Sequence, residues 1–463
     1  MLLDIRFYLA LLFIVRMYGI MDAPLESSHS WRQCITNMTA RNFSESGLDI
    51  MHPRVDLGGN ETGILGSEFP FLNALIYVMN SIFGFQHWYG RLINLCMSTI
   101  GIYYFYLLIK NCITQKVAFY SSLLLSLSIW LTFSRKIMPD TFSVSLVIIG
   151  LYFAYNYLKK GHWKSLLLYF LFSTVGMLCK IPALSIFSVI ACIFFIQQIH
   201  LKRKLYFIII SGICVSIVLA WYFLWIPHLI STYKYQLYIP KGLLEGIQEL
   251  QPYFGKLLKR FYFDAFHSFL AFGCFVVGIV FLVKNKQFLI LKSFGIITVV
   301  FILFIIKTGN VFPLHSYYII PFVPVMAVVA GYFLAQLPTK IQYTLMAIIA
   351  IESIANQQHD FKINDKKLSY LGLEEKVDQH IPKNALIVTS GGRAPNNMYY
   401  AHRKGWVAYN YDLERKEYTD SLAKSGANYL LIRKSDIEYK NKGYDLTYED
   451  DYFSFYDLTS PIK

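Results

Sequence analysis

The chain has 463 residues, of which 55% are hydrophobic, 17% aromatic and only 16% charged, and its mean hydropathy is +0.42. A soluble protein of this length carries more charge and less apolar surface, so the composition excludes one and specifies a polytopic membrane protein. The net charge of +14 invites a nucleic-acid partner, but eleven basic residues fall in alternate loops between apolar segments (Lys110, Lys116; Lys159, Lys160, Lys164; Lys202, Arg203, Lys204; Lys284, Lys286; Lys340) with no acidic residue among them. This is the positive-inside pattern of cytoplasmic loops, and nucleic acid drops out.

In chain order, a first apolar segment covers residues 5–21 and is interrupted by Arg16. No small-residue cleavage site follows it, which argues for a span with a cytoplasmic start rather than a signal peptide. Residues 22–88 then form a large outer loop, DAPLESSHSWRQ onward, dense in Asp, Glu, His, Arg and Trp. So many ionisable groups beside a membrane mark the loop as a place of chemistry. Its segment 69–85 is apolar but short, and is expected to be a re-entrant or interfacial helix.

Further spans are expected at 89–109, 117–133, 141–158, 165–179, 182–199, 205–226, 261–283, 288–306, 317–335 and 341–356, which with the first makes eleven. Between Pro227 and Arg260, Leu243, Leu244, Ile247, Leu250, Phe254 and Leu257 recur at helical spacing, as in an amphipathic helix lying on the membrane. The chain thus divides into a transmembrane part, 1–356, and a soluble α/β domain, 357–463. In the latter, LSYLGLEEKVDQHIP, NALIVTS, LERKEYTDSLAKSG and ANYLLI read as helix, strand, helix and strand. An odd number of spans puts this domain outside. Its SGGR at 390–393 reads as an ordinary turn before it reads as a phosphate cradle. Six of the seven cysteines fall in or beside apolar segments, leaving Cys34, so neither a disulfide framework nor a zinc spacing emerges.

Seven motifs stand in order along the chain: HSWRQ (29–33), ARNF (40–43), PRVD (53–56), GSEFP (66–70), SRKIMPD (134–140), HSYYIIPFVP (315–324) and YYAHRKGW (399–406). Together they resemble bacterial membrane glycosyltransferases of the GT-C type. More narrowly, they resemble relatives of the dolichyl-phosphate-mannose protein mannosyltransferases and of the lipid A aminoarabinose transferase. The resemblance runs the length of the chain. It implies transfer of a sugar from a polyprenyl-phosphate carrier to a lipid, glycan or protein acceptor on the outer face, by a single displacement with inversion.

A sugar on a lipid monophosphate departs from a stable anion. The enzyme therefore needs a base for the acceptor and cations or hydrogen-bond donors for the phosphate, but no general acid. The acidic candidates are Asp22, Glu26, Asp56 and Glu68 in the first outer loop and Asp140 in the next. In the family, acidic residues of these two loops serve catalysis and sometimes hold a divalent metal, and Asp140 in MPD stands where the second is expected. The first departs from the pattern, because relatives carry an Asp-Glu pair shortly before an arginine, whereas His29, Ser30 and Trp31 precede Arg32 here. The expected catalytic set is His29, Glu68 and Asp140, with Asp22 as a further acid and Glu26, Trp31, Gln33 and Asp56 as other first-loop candidates. Whether a divalent metal takes part stays open.

For the donor phosphate the candidates are Arg32, Arg135, Lys136, Lys307 and His315, with Tyr317 and Tyr318 beside it. Plainer roles compete. Asp22 near Pro24 suits a helix stop, Asp140 suits a helix N-terminus, Trp31, Trp88 and the Tyr317–Tyr318 pair suit an aromatic belt, and Lys136 and Lys180 suit lipid headgroups. A transporter or flippase of lipid-linked sugars is the rival function, and would need ionisable residues near the midplane of several spans. Three N-x-S/T triplets at Asn37, Asn42 and Asn60 keep a eukaryotic membrane in view, though a bacterial plasma membrane is preferred.

Overall fold

The computed structural model describes residues 4–196, 198–235 and 241–461. Its longer helices are Ile5–Arg16 (α1), Ser30–Ser46 (α2), Phe71–Phe83 (α3), Tyr89–Cys112 (α4), Gln115–Leu127 (α5), Pro139–Lys160 (α6), Trp163–Cys179 (α7), Leu201–Tyr233 (α8), Leu243–Asp264 (α9), Phe269–Lys284 (α10), Phe288–Thr308 (α11), Val323–Gln336 (α12) and Thr339–Gln357 (α13). Every expected span coincides with helical backbone, although residue 197 of one and residues 236–240 of the second large loop lie outside the described residues.

Length is where expectation and structure part. Among the described residues, α4, α6, α8 and α11 have the length and hydropathy of a full crossing. α9 and α10 qualify only as a pair bent by 92°, and α3, α7, α12 and the Ile181–Phe195 segment are apolar but shorter. The first segment stops as a helix at Arg16 instead of running to residue 21: the chain turns through Gly19 at φ +61°, while the fully buried Arg16 guanidinium donates to the Ser126 carbonyl at 2.5 Å. Twelve residues rise only about 18 Å, well short of a bilayer core. Hydroxyls stitch the central helices together: Ser143 Oγ of α6 donates to the Gly176 carbonyl of α7 at 2.7 Å, and small residues let the two backbones approach. The basic loops at 110–116 and 159–164 join the helix ends remote from residues 22–88.

The 22–88 segment is not an open loop. It holds α2, a helix with little apolar character of which Cys34, Ile35, Met38 and Phe43 are nonetheless buried, and α3, whose 13 residues suit an interfacial helix. Residues 373 onward add Leu373–His380 (α14), Leu386–Thr389 (β1), Asn396–Ala401 (α15), Lys404–Val407 (β2), Lys416–Lys424 (α16), Tyr429–Arg433 (β3), Tyr444–Glu449 (β4) and Phe453–Pro461 (β5). The strands form one sheet in the order β2-β1-β3-β5-β4. β1 is parallel to both β2 and β3, and β5 antiparallel to β3 and β4. Helices 373–380 and 416–424 and strand β1 fall within the expected segments, and β3 overruns its own by one residue; β2 and the β4–β5 hairpin have no counterpart in the sequence pattern.

This sheet and the 22–88 segment share one core, in which Leu25, Cys34, Met38, Val55 and Leu57 pack with Tyr370, Leu373, Ile387, Tyr399 and Phe455. Burying each large apolar side chain stabilises the junction by roughly 1.5–3 kcal/mol. The edge strand β2 is covered by residues 56–59: Gly405 N donates to the Asp56 carbonyl at 3.0 Å and Gly59 N to the Gly405 carbonyl at 2.7 Å. Gly59 is required there. Its φ is +68°, and a Cβ would stand 2.0 Å from the Trp406 ring.

Candidate active site

Three chain segments meet just beyond the N-terminus of α6. α2 contributes Arg32, one turn in; the strand-like stretch before α3 contributes Glu68; and the break after α7 contributes Lys180. Arg32 Nη2 pairs with Glu68 Oε1. Lys180 Nζ lies 3.9 Å from Glu68 Oε1 and 3.9 Å from Asp140 Oδ1. The same ammonium sits 5.8 and 6.0 Å from the ring centres of Tyr317 and Tyr318. Arg32, Glu68, Asp140, Lys180 and the two tyrosines therefore form one charge-balanced cluster.

Asp140 follows Pro139, whose fixed φ suits the first helical position, so the carboxylate stands at the positive end of the α6 dipole. Its side chain is 3% exposed. Oδ2 has no hydrogen-bond partner among the described residues, whereas Glu68 is engaged by Arg32. A buried carboxylate oxygen without a donor is costly in a finished fold, and it is the arrangement expected of a group that awaits one from a substrate.

His29 borders the cluster. It precedes α2 in the left-handed conformation (φ 61°), its Nε2 is 3.4 Å from Ser316 Oγ, and its ring lies 4.9 Å from Tyr317 and 5.9 Å from His315. Burial, and then the Lys136 charge, push it down to about 3, so the ring is neutral and a weak base. His315 is lowered as well, first by burial. Its Nδ1 is 3.0 Å from the Val311 carbonyl and can only donate there, which leaves Nε2 as the ring's acceptor, and Trp31 packs on the ring at 5.9 Å.

Several residues expected at the site stand elsewhere. Glu26 is buried against Arg91 at 2.6 Å and accepts from Gln33 Nε2 at 3.1 Å, while Gln33 Oε1 takes the Ile137 amide. Asp56 accepts from Arg41 and Asn42 and fixes the loop over β2. Asp22 is exposed beside Arg135, and Arg135 itself is spent on the Arg16 and Tyr18 carbonyls that end α1. Lys136 pairs with Asp360 at 3.1 Å and donates to the Ser28 carbonyl. Lys307 ends α11, where its charge acts on Glu245. The structure thus brings together His29, Trp31, Arg32, Glu68, Asp140, His315, Tyr317 and Tyr318, and separates Asp22, Glu26, Gln33, Asp56, Arg135 and Lys307 from them.

Lys180, expected at lipid headgroups, stands in the cluster instead. It is the only Asp, Glu, Lys or Arg between Lys164 and Lys202, and an isolated charge between two apolar runs is itself the signal of a task. Arg260 is a second addition: it donates to the Pro313 carbonyl at 3.1 Å, pairs with Asp264, and its field reaches both His29 and His315. The SGGR turn closes on itself, with Ala394 N donating to the Gly391 carbonyl and Ser390 Oγ donating to Asp436.

Residues 67–223 match the family model of the dolichyl-phosphate-mannose-protein mannosyltransferases. No curated protein sequence matches the chain. Among solved structures, the fold is similar to that of ArnT from Cupriavidus metallidurans bound to undecaprenyl phosphate, with a TM-score of 0.61 at 11% identity over 98% of each chain. It is also similar to the oligosaccharyltransferase AglB from Archaeoglobus fulgidus in complex with an inhibitory peptide and a dolichol-phosphate, with a TM-score of 0.57 at 13% identity over 92% of this chain and 69% of that one. The chain is a polytopic helical membrane protein of the GT-C fold.

Proposed function

We propose that the chain is an integral-membrane glycosyltransferase that moves a sugar from a polyprenyl-phosphate donor to an acceptor on the outer face of a bacterial plasma membrane. The observation that carries this reading is the meeting of Asp140, Glu68, Arg32 and Lys180 at one point, beside Tyr317, Tyr318 and His315. Asp140 takes the proton of the acceptor as it attacks the anomeric carbon. Arg32, the guanidinium of the cluster, receives the negative charge of the departing lipid phosphate. One displacement inverts the anomeric centre and releases polyprenyl phosphate. The fold's likeness to proteins solved with undecaprenyl phosphate and dolichol-phosphate supports the donor class.

The basic loops at the far ends of the helices support an outward-facing cluster. Arg16, Arg91, Arg135, Lys136, Asp140, Lys180 and Asp264 all gather at the cluster's end of the bundle rather than at its midplane, which favours an enzyme over a flippase. Mass spectrometry of envelope glycans with and without the gene identifies the product. In a purified system, Glu68→Gln and Asp140→Asn should each abolish its formation; an unchanged glycan profile refutes the assignment.

A further inference from the structure

Two carboxylates converging from separate segments ordinarily invite a divalent cation, which hard oxygen ligands suit. Here an ammonium stands between them: Lys180 Nζ is 3.9 Å from both Glu68 Oε1 and Asp140 Oδ1. Arg32 pairs with the same Glu68 oxygen, so two positive and two negative charges cancel. No third Asp, Glu, His or Cys joins the two acids into a ligand group among the described residues. The lysine side chain is only 12% exposed and is flanked by the faces of Tyr317 and Tyr318, so it is held in place rather than free to swing aside. A doubly charged ion entering that gap would meet an ammonium at close range. The donor set does not fit a metal.

We propose that Lys180 is a positioning residue that acts as the built-in counter-ion of Glu68 and Asp140, occupying the place a divalent cation would take, so that sugar transfer at this cluster needs no metal. The proposal rests on reading the cluster as the transfer site. Lys180 faces both acids and holds Asp140 Oδ1, so that the unpartnered Oδ2 is the oxygen presented to the acceptor. No covalent step passes through it.

Mn²⁺ titration of the purified full-length chain, followed by electron paramagnetic resonance, tests this without any sugar substrate. The native chain should retain no ion at the cluster. Lys180→Ala, and Lys180→Met, which keeps the apolar stem, should each retain about one Mn²⁺ per chain, lost again when Asp140→Asn is added. A native chain that holds an ion released by Asp140→Asn overturns the proposal, as do folded Lys180 variants that acquire none. In native membranes, transfer should change by less than about twofold in excess EDTA; a loss greater than about tenfold that Mn²⁺ restores also overturns it. Absence of any transfer would count against the proposed function while leaving the Mn²⁺ result to decide the role of Lys180.

Discussion

Replacing Asp140 with asparagine removes a charge and keeps the shape. Oδ2 has no partner and Oδ1 faces Lys180 at 3.9 Å, so the substitution breaks no hydrogen bond of the fold. The lost attraction to Lys180 is about 4 kcal/mol at an effective dielectric of about 20. Relief from burying the carboxylate offsets it by several kcal/mol, and Lys180 keeps Glu68, so stability should change by only about 1 kcal/mol, or roughly 2–4 °C in midpoint. Catalysis should suffer far more. Loss of a positioned base costs about 10²- to 10⁴-fold, equivalent to about 3–5.5 kcal/mol of barrier. The assay is purified enzyme in lipid nanodiscs with lipid-linked donor extracted from native membranes, with kcat, donor KM and thermal midpoint measured separately. The expected outcome is a collapse in kcat, a donor KM within a few-fold of native and an almost unchanged midpoint. A variant that keeps more than about a tenth of kcat refutes the base assignment. A parallel fall in midpoint and activity refutes the claim that Asp140 stands ready for substrate rather than supporting the fold.

Glu26 should behave in the opposite way: truncating it to alanine leaves Arg91, only 1% exposed, as an uncompensated buried charge. Stability should drop by about 3–5 kcal/mol, seen as a lowered unfolding midpoint, while turnover by the protein that remains folded stays near native. His402 lies between Glu374 and Glu45, whose hydrogen bonds hold it up at about 9, so it ties α14 to α2. Because the folded value exceeds the usual 6.5, this stabilisation is complete below pH 6.5 and is lost as pH rises through about 9. Thermal midpoints measured across that window should fall in the native chain, and His402→Gln should remove that part of the slope. Gly59→Ala drives a Cβ into the Trp406 ring at a positive φ, and should destabilise by about 1–3 kcal/mol in denaturant titrations. Adding Trp406→Ala should give a smaller total loss than the two single changes added together.

Where each part of the molecule could be read from sequence follows from what each segment packs against. The spans were visible because lipid and neighbouring helices both demand apolar side chains. β1, with LIVT buried on both faces, was visible for the same reason. β2, KGWV, is four residues long at a covered edge and carries no alternation, so nothing in its pattern announces a strand. Span ends were less legible than span centres. The apolar run continues past Arg16, but α1 does not, because Gly19 takes a left-handed φ of +61° and turns the chain. In the site, Glu68 stands out because a carboxylate beside an apolar run is costly without a task, and Asp140 because the family resemblance expects an acid in MPD. The same argument applied to Lys180 and was set aside for headgroup contact. Only three-dimensional proximity shows that the lysine points at the two acids instead of at lipid.

α2 shows why the first large loop resists pattern reading and why it matters. Arg32, Thr36 and Thr39 lie four and then three residues apart and line one cleft with Glu68, Ser67 and Asn73, so one face of the helix belongs to the site. Cys34, Met38 and Arg41 repeat the same spacing on another face and belong to the sheet: Asn396 Nδ2 reaches Cys34 Sγ, Asp56 N reaches Met38 Sδ, and Arg41 donates to the Tyr399 carbonyl while its guanidinium lies 5.0 Å from that ring. A helix used on two sides by polar partners has no apolar stripe, and so reads as a loop. Both sides hold the helix in place: α3 grips it where Asn73 Nδ2 donates to the Thr36 carbonyl at 2.7 Å and Ala40 packs with Leu72 and Ile76, and the C-terminal module grips it through Cys34, Met38 and Arg41. The C-terminal module therefore backs the helix that brings Arg32 to Glu68, with Thr36 Oγ1 at 3.3 Å as the guanidinium's partner within its own helix turn.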